Sequence, residues 1–248
     1  MSNKLRIASF NISGGFYIGN EDTEYLDRKS SSTIDNRLQD QIVDIINKEN
    51  IDIICFQEMI IDSKYMNVIA NKTNLKYYDY YELSPNNLVE NTNSGIAIFS
   101  KYPINTIKKE LFPNPRLSKT TDSGNTYYTF DKGYMICEIN NIKILNHHGF
   151  PYRRFNSTPE DNLQVFSFFD DVIINNNIDI IIGDFNVEDI MSLLDKTNNI
   201  YKRTINDITT VDNKKYDDIL VHDNIKYSKE IKRLLSDHFI VIDEVEIL

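Results

Sequence analysis

The sequence predicts an α/β protein. Strand-length apolar runs recur along the chain, two amphipathic helical stretches each lead into one of those runs, and a short repeat ends both such units in polar, acidic residues. Strands are expected at Leu5–Phe10, Asp52–Phe56, Gly95–Phe99, Tyr134–Ile139, Ile142–Asn146, Asp179–Ile182, Asp217–Val221 and Phe239–Val245, each rich in Ile, Val, Phe or Tyr.

The first helix is expected over Thr33–Lys48, where Ile34, Leu38, Ile42, Ile45 and Ile46 recur at helical spacing behind a Ser/Thr cap. The second follows Thr158. Pro159 suits a first turn, Glu160 and Asp161 suit the positive end of the dipole, and Leu163, Phe166, Phe169 and Ile173 form its apolar stripe. Each helix leads into the same five letters, Asn-Ile-Asp-Ile-Ile, at Asn50–Ile54 and at Asn177–Ile181. The strands that follow end in Gln57-Glu58 and in Asp184-Phe185-Asn186. Two facing layers would bring those ends together, because ligands favour strand C-terminal ends in α/β sheets. A chain this rich in Asn and Ile could also write that pentapeptide before any buried strand, and the repeat alone does not choose between the two readings. Loops are expected at Gly14–Ser32, Ser84–Ser94 and Pro113–Asn125, and no composition shift divides the chain, which is read as one domain over residues 1–248.

At 248 residues the chain should bury roughly three quarters of its unfolded surface. Its formal net charge of −10 excludes bulk electrostatic attraction to polyanions, so any nucleic-acid contact must be local or metal-bridged. Cys55 and Cys137 are its 2 cysteines, both inside apolar runs, and they read as buried thiols rather than a disulfide framework. The first residues hold no signal-like apolar stretch and no segment approaches membrane-spanning length, so a cytoplasmic location is expected.

Five polar segments stand where apolar runs end. Asn11 follows the first strand and by itself suits a turn. Glu58 ends a buried run, as a surfaced loop residue or as a ligand for a hard cation, and alone the first reading is the commoner. His147 and His148 close another run. Neighbours on a strand face opposite ways, so only one of them should address a given site. No third Cys or His stands at finger-like spacing, which disfavours zinc. Gly183 would permit a tight exit from its strand, after which Asp184 and Asn186 would project on one side of extended chain. Ser236-Asp237-His238 precedes the last strand, and Asp217 could hold His238 in one tautomer.

The ordered set Asn11, Gln57-Glu58, His148, Gly183-Asp184-x-Asn186, Asp217 and Ser236-Asp237-His238 resembles the endonuclease/exonuclease/phosphatase superfamily, from Ile7 to Val241. The resemblance implies a four-layer α/β sandwich of two packed mixed sheets flanked by helices. It also implies a Mg²⁺-dependent phosphoester hydrolase, with Mn²⁺ as a substitute. By that resemblance Glu58 is the principal metal ligand, with Asn11 beside it and Asp237 either completing the metal site or supporting its ligands. Asp184 orients or deprotonates the attacking water, Asn186 binds the phosphoryl group, and His238, oriented by Asp217, contacts the scissile phosphate or serves in proton transfer. His148 matches the superfamily's strand-end histidine better than His147.

Subclass marks are absent. Asp218 stands where inositol-polyphosphate phosphatases carry arginine, Met59-Ile60 replace the Thr-Lys of abasic-site endonucleases, and there is no Trp. The expected substrate is DNA or RNA. Arg153 and Arg154 would bind it, in a loop where Phe150 and Tyr152 could stack on a base; a solvated Arg pair at a helix start is the equal alternative. Lys226, Lys229, Lys232 and Arg233 form a second basic stretch, which an exposed strand face would also explain. A small or lipid phosphoester is the alternative substrate, and a catalytically inactive binding module the alternative of another class.

Overall fold

Two six-stranded sheets face each other. In the first, the order is β13 (Lys226–Arg233), β14 (Phe239–Ile247), β1 (Asn3–Asn11), β2 (Ile53–Ile61), β4 (Asn93–Ser100), β3 (Tyr77–Pro85). In the second it is β11 (Tyr201–Arg203), β12 (Asp217–His222), β10 (Ile180–Asp184), β9 (Ile142–His148), β8 (Gly133–Ile139), β5 (Asn105–Leu111). A separate hairpin pairs β6 (Ser118–Thr120) with β7 (Thr126–Tyr128). The structure is a computed structural model describing residues 3–15, 36–86, 90–234 and 236–247.

Alternation along the strands builds the layers. Ile53 and Cys55 of β2 point inward, where Ile7 and Ile98 of the first sheet meet Cys137, Ile144, Ile180 and Ile219 of the second. Ile54 and Phe56 point outward onto Leu38, Ile42 and Ile46 of α1 (Asn36–Lys48) and Met66 and Ile69 of α2 (Ser63–Lys72). On the far side, Leu145, Ile181 and Leu220 pack on Phe166, Phe169 and Ile173 of α3 (Leu163–Asn176). The central strands are covered on both faces, which is why they are written as unbroken apolar runs. The result is helix, sheet, sheet, helix, as the resemblance implies. Cys55 and Cys137 are free thiols inside the inter-sheet core.

The pentapeptide repeat is structural. Asn50 and Asn177 both take left-handed backbone angles (φ 49° and 50°) where their helices stop, a conformation asparagine tolerates better than most residues. Two residues on, Asp52 Oδ2 accepts the Arg6 amide at 2.9 Å and Asp179 Oδ2 accepts the Lys143 amide at 2.8 Å. Each aspartate thereby locks its new strand beside an existing parallel one, β2 on β1 and β10 on β9.

Several elements depart from the sequence reading. β2 runs on to Ile61 through a bulge between Phe56 and Met59 rather than ending at Phe56. β3 and β5 have no counterpart among the expected strands, nor α2, a ten-residue helix capped by Asp62, among the expected helices, while β13 is the exposed strand that was the alternative reading of the second basic stretch. The expected loop at Pro113–Asn125 contains β6, and most of the one at Gly14–Ser32 lies outside the described residues, as do residues 33–35 of the first expected helix. The basic stretch Lys226–Arg233 is the strand β13, and two of its lysines pair with acids: Lys229 with Asp207, and Lys232 with Glu49 and Glu230. No helix among the described residues is long and apolar enough to cross a membrane.

Candidate active site

Strand register assembles the polar segments. In the second sheet His148 pairs with Asp184, and Asp184 with Asp217, so three adjacent strands present their polar residues side by side. In the first sheet Asn11 pairs with Gln57, next to Glu58 on the bulge. The two sheets are joined across this edge by Asn11, whose Nδ2 donates to Asp184 Oδ2 at 2.9 Å while its Oδ1 accepts the Ser13 amide at 2.8 Å. Beneath them a buried chain runs from Ser9 to Gln57 (3.3 Å) and from Gln57 Nε2 to Asn146 Oδ1 (2.9 Å), satisfying polar groups that burial would otherwise penalise.

Asp184 and Asn186 do meet on one side, but not in extended chain. Asn186 adopts φ 54°; its amide donates to Asp184 Oδ1 at 2.8 Å, and its Nδ2 reaches Asp184 Oδ2 at 3.2 Å and the Gly149 carbonyl at 3.1 Å. That fold-back needs Gly149, since a Cβ there would stand 2.4 Å from the Phe185 carbonyl oxygen. Gly183 likewise serves close approach rather than a turn, for a Cβ on it would meet the His147 carbonyl at 2.3 Å.

His238 Nδ1 lies 2.7 Å from Asp217 Oδ2, and His238 Nε2 faces Asp184 Oδ2 at 3.8 Å. Thr209 holds this pair in place: its hydroxyl accepts the Tyr216 and Asp217 amides, both at 3.1 Å, and its carbonyl accepts the Phe239 amide at 2.7 Å. Ser236 donates to the Asn11 carbonyl at 2.9 Å and to Asp237 Oδ1 at 3.3 Å, tying the last polar segment to the first. Burial works against the His238 imidazolium, yet Asp217, Asp184 and Asp237 together hold its pKa well above the usual value. Burial and the Asp217 charge push Asp184 up to about 7, against the opposing pull of His238, Asn11 and Asn186.

The two histidines separate as strand alternation requires. His148 Nε2 stands 3.6 Å from Asp184 Oδ2 and 3.7 Å from Glu58 Oε1. His147 points the other way into Phe112, Phe169 and Phe185, where burial drops its pKa to about 3. Phe150 and Tyr152 are also core residues, 1% and 2% exposed, so neither can stack on a substrate base. Arg153 and Arg154 lie on a short 3-10 turn, Tyr152–Phe155, rather than at a helix start. They line a cavity of about 250 Å³ with Asn186, Tyr216 and Asp212, and the Arg154 charge reaches Lys132 and His148.

No motif in the sequence marks Lys132. Its Nζ lies 3.0 and 3.1 Å from the His148 ring nitrogens. Burial lowers its pKa, opposed by the charges of Glu58 and Asp184. The only available signal was its position at the site end of β8, one residue before Gly133.

Among the described residues the carboxylate of Glu58 accepts no hydrogen bond, and Glu58 itself is held at φ 48°, a costly conformation for a side-chain-bearing residue. Asp217 Oδ1 is buried without a partner, and Asp184, Asp217 and His238 bring ligand atoms within 4.8 Å of one another. Oxygen donors left unsatisfied in this way fit a hard divalent cation. Among the described residues the converging donor atoms are therefore those of Asp184, Asp217 and His238, with Glu58 reaching the same place through His148 and Asp237 tied to Asn11 through Ser236.

An α/β sandwich whose facing sheets present two strand-end carboxylates, a carboxylate-held histidine and an amide that bridges them defines a phosphoesterase-type site. The chain belongs to the endonuclease/exonuclease/phosphatase family, whose model matches residues 8–238. Its fold is similar to that of an endonuclease/exonuclease/phosphatase from Bacteroides vulgatus (TM-score 0.63, 17% identity, covering 99% of this chain and 100% of that one). It is also similar to the human nocturnin catalytic domain (0.61, 14%, 98% and 97%) and a mannosyl-6-phosphatase from Bacteroides thetaiotaomicron (0.57, 15%, 97% and 99%). No curated protein matches in sequence. Family members are generally hydrolytic and usually use divalent metals.

Proposed function

We propose that this chain is a Mg²⁺-dependent phosphodiesterase acting on nucleic acid. The observation that carries the proposal is the contact of Asn11 with Asp184, which fixes the carboxylate opposite His238. In hydrolysis, Asp184 takes the proton of the attacking water, the new P–O bond forms as the ester P–O bond breaks, and water protonates the departing oxygen. His238, kept cationic and oriented by Asp217, stabilises the charge that develops on the phosphoryl oxygens, Lys132 adds a donor to them, and Asn186 holds Asp184 in place. His148, beside both carboxylates, orients the phosphoryl group. Glu58, Asn11 and Asp237 would hold the cation, which supplies Lewis-acid polarisation of the phosphate. Arg153 and Arg154 bind the flanking backbone, giving a local basic patch on a chain of net charge −10.

A small phosphoester is the second reading, favoured by the arginine-lined cavity of about 250 Å³ that opens beside Asn186. Side-by-side turnover of single-stranded RNA, single-stranded DNA, plasmid and sugar phosphates, with Mg²⁺ and with EDTA, tests both. Release of product from a sugar phosphate alone would favour the second.

A further inference from the structure

The insertion between β5 and β8 carries aromatic side chains that the core does not use. Tyr128 is 64% exposed, more than any other large hydrophobic side chain among the described residues, and Phe130 is 39% exposed. Both precede Lys132, whose ammonium enters the candidate site. The segment between them is fixed: the Thr129 amide donates to the Leu117 carbonyl at 2.9 Å and its hydroxyl to Asn114 Oδ1 at 2.8 Å. Phe130 and Tyr128 stand two and four residues before Lys132, so at most about 7 and 14 Å of chain separate them from it, a reach suited to groups next to a phosphate bound there. β6 of the same hairpin lies against the turn that bears Arg153 and Arg154.

We propose that Tyr128 and Phe130 are a stacking platform for unpaired bases adjoining the scissile phosphate, so that the substrate is single-stranded nucleic acid. The inference rests on the nuclease reading and narrows it. Exposed rings on a fixed backbone, beside arginines, match the chemistry of single strands, whose bases offer free faces while duplex bases are already stacked. A lipid surface fits less well, because the hairpin tip that would enter it first, Thr121-Asp122-Ser123-Gly124-Asn125, is polar.

The test is fluorescence anisotropy with Mg²⁺ present, using labelled phosphorothioate-linked oligothymidylate and oligouridylate as uncleaved single strands. Tyr128→Ser and Phe130→Ser should each weaken binding about tenfold, Tyr128→Phe and Phe130→Tyr should restore it, and Tyr77→Ser, at the opposite sheet end, should leave it unchanged. Equal melting temperatures would separate lost contact from lost fold. If the wild type binds and both serine variants bind equally well, the platform is wrong and the nuclease reading survives. If the wild type binds neither oligonucleotide, both fall. Loss of binding to phosphatidylserine vesicles in the serine variants, with oligonucleotide binding intact, would overturn the platform in favour of a membrane contact.

Discussion

Asp217 Oδ2 and His238 Nδ1 are 2.7 Å apart, a contact made between β12 and the residue before β14, so it exists only when the two sheets are correctly docked. The carboxylate fixes the ring and favours its cation. Asp217→Asn should keep the geometry but lose the charge, lowering kcat about 10²- to 10⁴-fold with little change in KM. Steady-state kinetics on a generic phosphodiester, with circular dichroism as a control for folding, measures it; wild-type turnover would remove Asp217 from this role.

Glu58 predicts a conflict between stability and activity. Its φ of 48° costs on the order of 1 kcal/mol that glycine would not incur. Glu58→Gly should therefore raise the melting temperature by roughly 2–4 °C while abolishing turnover and weakening Mg²⁺ binding in a calorimetric titration. A lower melting temperature would show the bulge to be unstrained.

Lys132 Nζ stands 3.0 and 3.1 Å from the two ring nitrogens of His148. Lys132→Met should lower kcat/KM about 10²- to 10³-fold, and a variant with unchanged kcat/KM would make it a structural residue.

Asp243 predicts a pH effect far from the site. It lies in the inter-sheet core, accepts a hydrogen bond from Thr204, and finds no partner for Oδ1 among the described residues. Burial, with the nearby Asp218 charge, raises its pKa to about 7. The folded protein holds this proton more tightly than the unfolded chain does. The stabilisation is thus complete below the unfolded value near 3.8 and is lost as pH rises to about 7. At roughly 1.4 kcal/mol per unit, Asp243→Asn should flatten the fall in denaturant stability over that range and stabilise the protein above it. An unchanged pH profile would contradict this.

The parts legible in the sequence were those written by burial on both faces. β1, β8, β9, β10, β12 and β14 are apolar runs because helices or the other sheet cover them, and the polar residues at their ends mark the site edge. β3, β5 and β13 lie at sheet edges, and their residues mix Tyr, Lys and Glu with little apolar continuity, so no run announced them. Asn11, Glu58, Asp184 and His238 were recognisable as an ordered set. The lysine beside His148, the threonine under Asp217 and the Gln57–Asn146 link were not, because each acts through a contact between segments distant in sequence. The aromatic pair Phe150 and Tyr152 misled for a similar reason: sequence shows that a ring is present but not which way the turn aims it.

The site's role in metal-dependent phosphodiester cleavage is measured by turnover of a labelled single-stranded oligonucleotide by the wild type, Asp184→Asn and His238→Ala, with Mg²⁺, with EDTA, and with Mg²⁺ restored after EDTA. A metal-dependent nuclease with this site cleaves as wild type, stops with EDTA and resumes when Mg²⁺ is restored, and loses at least about 10²-fold in each variant. Undiminished cleavage by Asp184→Asn, or no hydrolysis of any phosphoester by the wild type under Mg²⁺ or Mn²⁺, would contradict that role.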